Sequence, residues 1–139
     1  MFELFKAKNE AEKTKILIVD DDPNVLLILK DRLEMNEYEV LAAYNGKEGL
    51  DKATIHRPDV ILLDIMMPTM NGLEMLMHLR KHPECDSIAV IILSARDQVH
   101  DIGCAKSYGI EDYIIKPFDI SELLGKIEKI CESRKTTLS

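Results

Sequence analysis

The chain has 139 residues, of which 46% are hydrophobic and 31% charged, and these values suit one globular domain with its own core. The formal net charge of -7 disfavours a nucleic-acid binder or a membrane-surface binder, because both need a basic face. The three cysteines are spaced like neither a zinc ribbon nor a CxxC pair, so we expect reduced thiols.

Residues 1–14 precede the first predicted strand and are assigned to an N-terminal extension. Glu3 and Lys6 interrupt any signal-peptide core, and no apolar stretch approaches the roughly 18 residues of a membrane span. We therefore expect a cytoplasmic protein without a membrane span. The extension is expected to be a frayed tail or a short helix, and the alternative is dimer contact or docking through Phe2 and Phe5.

Three continuous apolar runs, rich in β-branched residues, predict strands over 15–20, 59–64 and 88–93. Such runs are typical of strands that are buried on both faces, as in a parallel sheet. Weaker strand patterns cover 38–44 and 112–115. The chain therefore has five predicted strands.

A helical pattern follows the first strand. Leu26, Leu29 and Leu33 recur at helical spacing after Pro23, a residue that fits the first turn of a helix. Asp22 directly precedes this proline and is the predicted N-cap.

Four further helices are predicted between and after the other strands, over 45–56, 71–82 and about 97–107, and from Asp119 onward. Asp119 is the predicted cap of the last helix, with Glu122 at the capping-box position. The predicted buried stripe of the third helix is Leu73, Leu76 and Leu79 or Arg80. The predicted stripe of the fifth helix is Leu123, Ile127 and Ile130.

The order of elements is strand and helix five times over, a (βα)5 pattern. Parallel strands need crossover helices, and right-handed crossovers place helices on both faces of the sheet. The predicted fold is therefore α/β, a doubly wound parallel five-stranded sheet in a three-layer sandwich. Function in such sheets lies at the carboxyl ends of the strands.

Polar residues follow four of the five predicted strands. The first ends in Asp20 and Asp21, the third in Asp64, the fourth in Ser94 and the fifth in Lys116. Carboxylates that cluster without a cation take up protons, whereas a hard cation such as Mg²⁺ binds them directly. An aspartate in such a site can attack phosphorus, with an ammonium and a hydroxyl to neutralise the phosphoryl oxygens.

These residues resemble the receiver domain of bacterial two-component response regulators, in particular the chemotaxis-regulator-like members. The matching motifs are VDDD at 19–22, D…MPTMNG at 64–72, SA at 94–95 and YIIKPF at 113–118. The resemblance runs over about 15–132, which we assign to the receiver domain, and 133–139 to a C-terminal tail. It implies a flavodoxin-like strand order of 2-1-3-4-5.

The resemblance also implies a role for each residue at this edge. Asp64 is the phosphoacceptor, and Mg²⁺ is the cofactor, with Mn²⁺ as the alternative ion. Asp21 is implied as a direct metal ligand, Asp20 as a direct or water-mediated one, and the backbone carbonyl of Met66 as another. Asp64 itself completes the metal site.

Further roles implied by the resemblance concern the phosphoryl group and the switch. Lys116 pairs with the acceptor carboxylate and then with the phosphoryl group, while Ser94 hydrogen-bonds a phosphoryl oxygen. Pro117 is where the family commonly has a cis peptide bond. Tyr113 matches an aromatic residue that swings inward when Ser94 moves, which changes the face made by the fourth helix, fifth strand and fifth helix; a fixed packing role for Tyr113 is the alternative.

The implied function is phosphorelay signalling rather than turnover of a substrate. The phosphoryl donor is a phosphohistidine on a histidine kinase or histidine phosphotransfer protein, and the output is binding of an unknown downstream protein by a monomer or weak dimer. Slow autodephosphorylation is also implied. The tail after about Cys131 is too short for an output domain, so we expect a stand-alone receiver or a fragment that contains one.

Three other functions compete with this interpretation. An aspartate-nucleophile phosphatase needs an acid two residues after the nucleophile, where this chain has Met66. A nucleotide-binding module needs a glycine-rich phosphate loop, and the first strand is followed by no GxGxxG or GxxxxGK[ST] motif. An interaction scaffold that no longer becomes phosphorylated is the third.

The four histidines, at positions 56, 78, 82 and 100, are expected at the surface.

Overall fold

The computed structural model describes residues 13–138, and the expectations for residues 1–12 lie outside that range. Its five strands are β1 (Lys15–Val19), β2 (Glu39–Ala43), β3 (Val60–Asp64), β4 (Ala89–Ala95) and β5 (Asp112–Lys116). Its helices, numbered in chain order, are α1 (Pro23–Met35), α2 (Gly46–His56), α3 (Gly72–Leu79), α4 (Val99–Ser107) and α5 (Ile120–Leu138).

The strands form one parallel sheet in the order β2-β1-β3-β4-β5. This confirms the predicted doubly wound fold and its strand order. The central strand β3 is buried along its whole length, as expected of a continuous apolar run covered by helices on both sides.

Successive strand residues point to opposite faces of the sheet and so divide the core into two layers. Leu17, Val19 and Leu63 belong to the layer covered by α2, α3 and α4. Ile16 and Ile18 belong to the layer covered by α1 and α5. Of the predicted stripes of α1 and α5, Leu26, Leu29, Leu33, Leu123 and Ile127 are buried, and Ile130 is partly buried against the same layer.

The prediction of a third helix over 71–82 is wrong at its carboxyl end, because α3 stops at Leu79. Of the two residues predicted to close the apolar stripe, Leu79 is buried and Arg80 is not part of the stripe. Its guanidinium donates hydrogen bonds of 2.7–3.2 Å to four backbone carbonyls, those of Cys85, Ile88, Tyr108 and Gly109. A 3-10 turn then begins at Pro83, a residue that cannot continue a helix.

The other helix bounds differ less from the predictions. A 3-10 turn over Arg96–Gln98 precedes α4, so the regular helix starts at Val99. The last helix begins at Ile120, and the carbonyl of Asp119 accepts from the N–H groups of Glu122 and Leu123. It continues to Leu138 and so includes most of the segment assigned to a tail.

Gly72 brings the start of α3 against the end of β3. Its N–H donates to the carbonyl of Ile65 at 2.8 Å. A Cβ atom at position 72 would lie 2.3 Å from the backbone oxygen of Asp64, a contact that side-chain rotation cannot relieve. The close approach of these two backbones fixes where Asp64 stands, so only glycine fits here.

We expect Gly72→Ala to destabilise the fold by about 2 kcal/mol or more, because backbone atoms must move apart to admit the methyl group. The matched control is Gly125→Ala on α5, where an added Cβ meets nothing within 4 Å. The control should be as stable as wild type or up to about 1 kcal/mol more stable. Urea denaturation of the three proteins measures this, and equal stability of the Gly72→Ala variant and wild type would contradict it.

Candidate functional site

The carboxyl ends of the strands bring the predicted polar residues to one edge of the sheet. Val19 of β1 pairs with Leu63 of β3, so Asp20 and Asp64, the next residues, lie side by side at the end of adjacent strands. On the other flank, β4 pairs Ala95 with Lys116 of β5. The parallel register therefore gathers residues that are up to 96 positions apart in sequence.

Lys116 connects the two buried carboxylates. Its Nζ lies 3.3 Å from Oδ2 of Asp20 and 3.3 Å from Oδ1 of Asp64. Asp20 and Asp64 are only 1% and 5% exposed, whereas the lysine side chain is 30% exposed. The ammonium thus approaches the pair from the solvent side and compensates one of the two buried charges.

The three consecutive aspartates after β1 have three different environments. Asp20 is buried, and its Oδ1 accepts the N–H of Asp22 at 2.9 Å. Asp21 is exposed beside it. Asp22 is the N-cap of α1, and its Oδ1 accepts the N–H of Asn24 at 2.9 Å. Asp20 therefore holds the loop as well as the lysine, while Asp21 has its carboxylate open to solvent.

The electrostatics of Asp64 and Lys116 reflect their shared burial. Desolvation raises the pKa of Asp64 from 3.8 to about 6, helped by the charges of Asp20 and Asp21 and opposed by Lys116. For Lys116, burial alone lowers the pKa, but the charges of Asp64 and Asp20 outweigh burial and raise it. Without a further cation, one ammonium does not compensate the acidic cluster.

The donor set fits a hard divalent cation. Asp20, Asp21 and Asp64 each offer an oxygen, and these atoms lie within 4.8 Å of one another. Oxygens on opposite sides of Mg²⁺ are about 4.2 Å apart, so small adjustments suffice. Three carboxylates and one ammonium carry a formal charge of about -2, the charge that one such ion cancels. Met66 and Asp21 border the same hollow of about 400 Å³, and Met66 is 63% exposed.

Ser94 is fully buried at the end of β4, but its hydroxyl bonds the loop rather than the acidic cluster. Its Oγ donates to the carbonyl of Ala95 at 3.0 Å. The N–H of Ala95 donates to Oε1 of Gln98, also at 3.0 Å. Gln98, which is 7% exposed, is not among the site residues predicted from the sequence. It lies four positions after Ser94 and belongs to no motif.

Two further predicted residues, Tyr113 and Pro117, lie in β5 and directly after it. The peptide bond between Lys116 and Pro117 is cis. Tyr113 is half-buried and packs against the core layer below α2, α3 and α4. The Nζ of Lys106 on α4 lies 5.6 Å from the centre of its ring, which is within the range of a cation–π contact. Tyr113 thus stands between α4 and the core.

Other candidate metal ligands do not converge within residues 13–138. There, Asp20, Asp21 and Asp64 form the group of three or more potential ligand residues that is close enough to hold an ion. His56 and His100 are exposed, and His78 and His82 are half-buried. Cys85, Cys104 and Cys131 are free thiols. None of the helices in this range is long and apolar enough to cross a membrane.

Residues 16–128 match the protein family described as response regulator receiver domain. The chain is similar to the response regulator ArlR of Staphylococcus aureus, with 43% identity over 117 residues. These residues are 84% of this chain and 52% of the relative, so the chain spans about half the length of the curated relatives it matches.

Solved structures give the same likeness. The chemotaxis protein CheY4 of Vibrio cholerae superimposes with a TM-score of 0.80 and 29% identity, over 85% of this chain and 98% of that one. A response regulator receiver domain protein from Clostridium thermocellum gives a TM-score of 0.82 and 31% identity, over 91% and 99%.

We expect Asp64→Asn to stabilise the metal-free protein at pH 7.5 by roughly 1–3 kcal/mol. A raised pKa means that the folded state binds the proton more tightly, so this contribution favours folding below about pH 4 and is lost as the pH rises through 6. The advantage of the asparagine variant should therefore disappear in acid. Urea denaturation of both proteins in EDTA, at pH 7.5 and at about pH 4, measures this difference in the free energy of unfolding.

The control for this comparison is Asp51→Asn, which changes an exposed aspartate on α2. It should leave the free energy of unfolding within about 0.5 kcal/mol of wild type. A wild-type protein as stable as the Asp64→Asn variant at pH 7.5 would show that the buried charge carries no cost.

Proposed function

The chain belongs to the response regulator receiver domain family of two-component signalling, and from this membership we propose that Asp64 accepts a phosphoryl group from a phosphohistidine. Receivers of this family interact with histidine kinases or histidine phosphotransfer proteins. We propose such a protein as the donor, with the receiver domain at 15–132, in the cytoplasm. The domain supplies the groups that promote its own phosphorylation and a slow hydrolysis of the product.

One observation carries this proposal: Lys116 lies 3.3 Å from the buried carboxylate of Asp64, within the acidic cluster that Asp64 forms with Asp20 and Asp21. A carboxylate attacks phosphorus only if the negative phosphoryl oxygens are neutralised as they approach. Lys116 is half-buried and already pairs with Asp64, so its ammonium group can bind first the carboxylate and then the phosphoryl group. Ser94 supplies a hydroxyl at the neighbouring strand end.

In the proposed step, a carboxylate oxygen of Asp64 attacks the phosphorus of the donor. The O–P bond forms as the P–N bond to the imidazole breaks, and the leaving nitrogen keeps the electron pair and takes a proton from water. Asp20, Asp21, Asp64 and the carbonyl of Met66 would hold Mg²⁺ or Mn²⁺, which when bound neutralises the carboxylates and the phosphoryl oxygens. Lys116 then pairs with the phosphoryl group.

A groove beside the site supports a protein as the phosphoryl donor, in addition to any small-molecule donor. It has a volume of about 390 Å³ and is mostly apolar, and its lining includes Lys116 itself. The other lining residues come from α1 and from the segment after β5: Val25, Ile28, Leu29, Pro117, Phe118 and Ile120. A helix with an apolar face fits such a groove, and a donor bound there would present its phosphoryl group beside Lys116.

The proposed output is a change of the face formed by α4, β5 and α5. Ser94 would leave the carbonyl of Ala95 and turn to the phosphoryl group, and Tyr113 would swing into the space that opens. Such a local charge event shifts a two-state element. The altered face would then bind a downstream protein. The phosphatase alternative is not favoured, since Met66 provides no acid at the position that such an enzyme requires.

We expect incubation with Mg²⁺ and acetyl phosphate to add one phosphoryl group to the wild-type protein and none to Asp64→Asn, with intact-protein mass spectrometry as the measurement. The matched control is Asp22→Asn, which changes an acid of the same loop but keeps a capping side chain. The control should gain the group like wild type. An equal gain in Asp64→Asn would contradict the assignment of the acceptor.

A further inference from the structure

Burial of polar side chains singles out a residue that the proposed function does not use. In the part of the chain that the structure describes, the buried polar or charged residues are Asp20, Asp64, Ser94 and Gln98. The first three belong to the acidic cluster and its hydroxyl. A glutamine that is 7% exposed needs a partner for its amide, and Gln98 finds it at the end of β4.

Gln98 holds the backbone next to Ser94. Its Oε1 accepts the N–H of Ala95 at 3.0 Å, while the Ser94 hydroxyl donates to the carbonyl of the same residue at 3.0 Å. Both backbone polar groups of Ala95, the last residue of β4, are therefore bonded by nearby side chains, one from β4 and one from the turn that follows it. In this conformation the turn between β4 and α4 is therefore hydrogen-bonded back to the end of β4.

The direction of the Ala95 N–H follows from the sheet. Backbone polar groups of alternate strand residues point to the same neighbouring strand. The carbonyl of Leu93 accepts from Ile65, directly after β3, so the N–H of Ala95, two residues later, also points toward the end of β3. That end carries Asp64. The amide oxygen of Gln98 thus bonds a donor that faces the side where a phosphoryl group would stand.

Gln98 also marks the beginning of α4. It is the N-cap residue of that helix, yet its side chain makes no capping hydrogen bond, because it turns back to Ala95. The same residue therefore bonds the strand end beside Asp64 with its side chain and starts α4 with its backbone. Gln98 therefore connects the end of β4 to the start of α4.

We propose that Gln98 is a positioning residue whose amide oxygen takes the place of a phosphoryl oxygen at the Ala95 N–H until Asp64 is phosphorylated. This inference rests on the proposed function of Asp64. A charged phosphoryl oxygen is a stronger acceptor than a neutral amide, so it displaces Gln98 from Ala95. The side chain of Gln98 is then released, and the first turn of α4 is freed to move with it.

The test compares wild type with Gln98→Met, which keeps the length and apolar stem of the side chain but removes the acceptor. The probe is beryllofluoride, a phosphoryl mimic, added with saturating Mg²⁺. We expect Gln98→Met to bind the mimic about three- to tenfold more tightly, because its Ala95 N–H has no competing acceptor. The affinity for Mg²⁺ alone should not change. The control is Ser107→Ala, at the far end of α4, with wild-type affinity for the mimic.

A merely structural role for Gln98 makes a different prediction. It would lower the unfolding midpoint of Gln98→Met equally with and without the mimic, whereas we expect a loss of stability in the unloaded protein that shrinks in the loaded one. Unchanged or weaker binding of the mimic by Gln98→Met would overturn the proposal. A wild-type protein that does not bind the mimic would instead refute the function proposed for Asp64, and this inference with it.

A second measurement needs no variant and so does not depend on its folding. In the amide NMR spectrum of wild type, the Ala95 proton should move downfield when the mimic binds, and the side-chain amide signals of Gln98 should shift as their bond is lost. An Ala95 signal that stays in place while the mimic binds would overturn the proposal.

Discussion

Repulsion among the carboxylates of Asp20, Asp21 and Asp64 is the interaction on which the rest of this site depends. Parallel register places two of them at the ends of adjacent strands, and burial removes the water that would screen them. Lys116 reaches both buried acids at 3.3 Å, yet one ammonium leaves the cluster negative. Burial is the main reason that the pKa of Asp64 is raised to about 6, and the charges of Asp20 and Asp21 add to it. A divalent cation is the simplest way to neutralise the remaining negative charge.

The fold tolerates this unfavourable cluster because the sheet beneath it is apolar on both faces. The buried polar groups described here lie at one edge of the sheet, and the strands below contribute aliphatic side chains to two core layers. The contact between Gly72 and the backbone of Asp64 further fixes the position of Asp64. Stability is thus supplied by the core, and the edge is free to hold charges that oppose folding but suit the phosphoryl transfer proposed for this site.

Most of this arrangement could be predicted from the sequence, because strand ends are visible as the point where an apolar run meets a polar residue. Asp20, Asp64 and Lys116 each occupy such a point, and parallel topology then brings them together. The residues of the α1 and α5 stripes were predictable for the same reason, since their helical period depends only on local spacing.

The parts that escaped prediction depend on distant backbone. Arg80 looks like the end of an amphipathic helix, but its partners are carbonyls at residues 85, 88, 108 and 109. Gln98 likewise carries no motif, and its role appears only when the loop after β4 turns back on Ala95. Side chains that bond backbone carbonyls and N–H groups leave no periodic signal, because their partners are set by the path of the chain.

The most direct test of the central claim is the titration of the Asp64 carboxyl group, followed by carbon-13 NMR with and without Mg²⁺. If burial and repulsion within the cluster together create the metal site, the pKa of Asp64 should be near 6 in the absence of the ion and should fall clearly when Mg²⁺ binds. The same titration curve with and without Mg²⁺ would contradict the claim, since the ion would then not be neutralising these carboxylates.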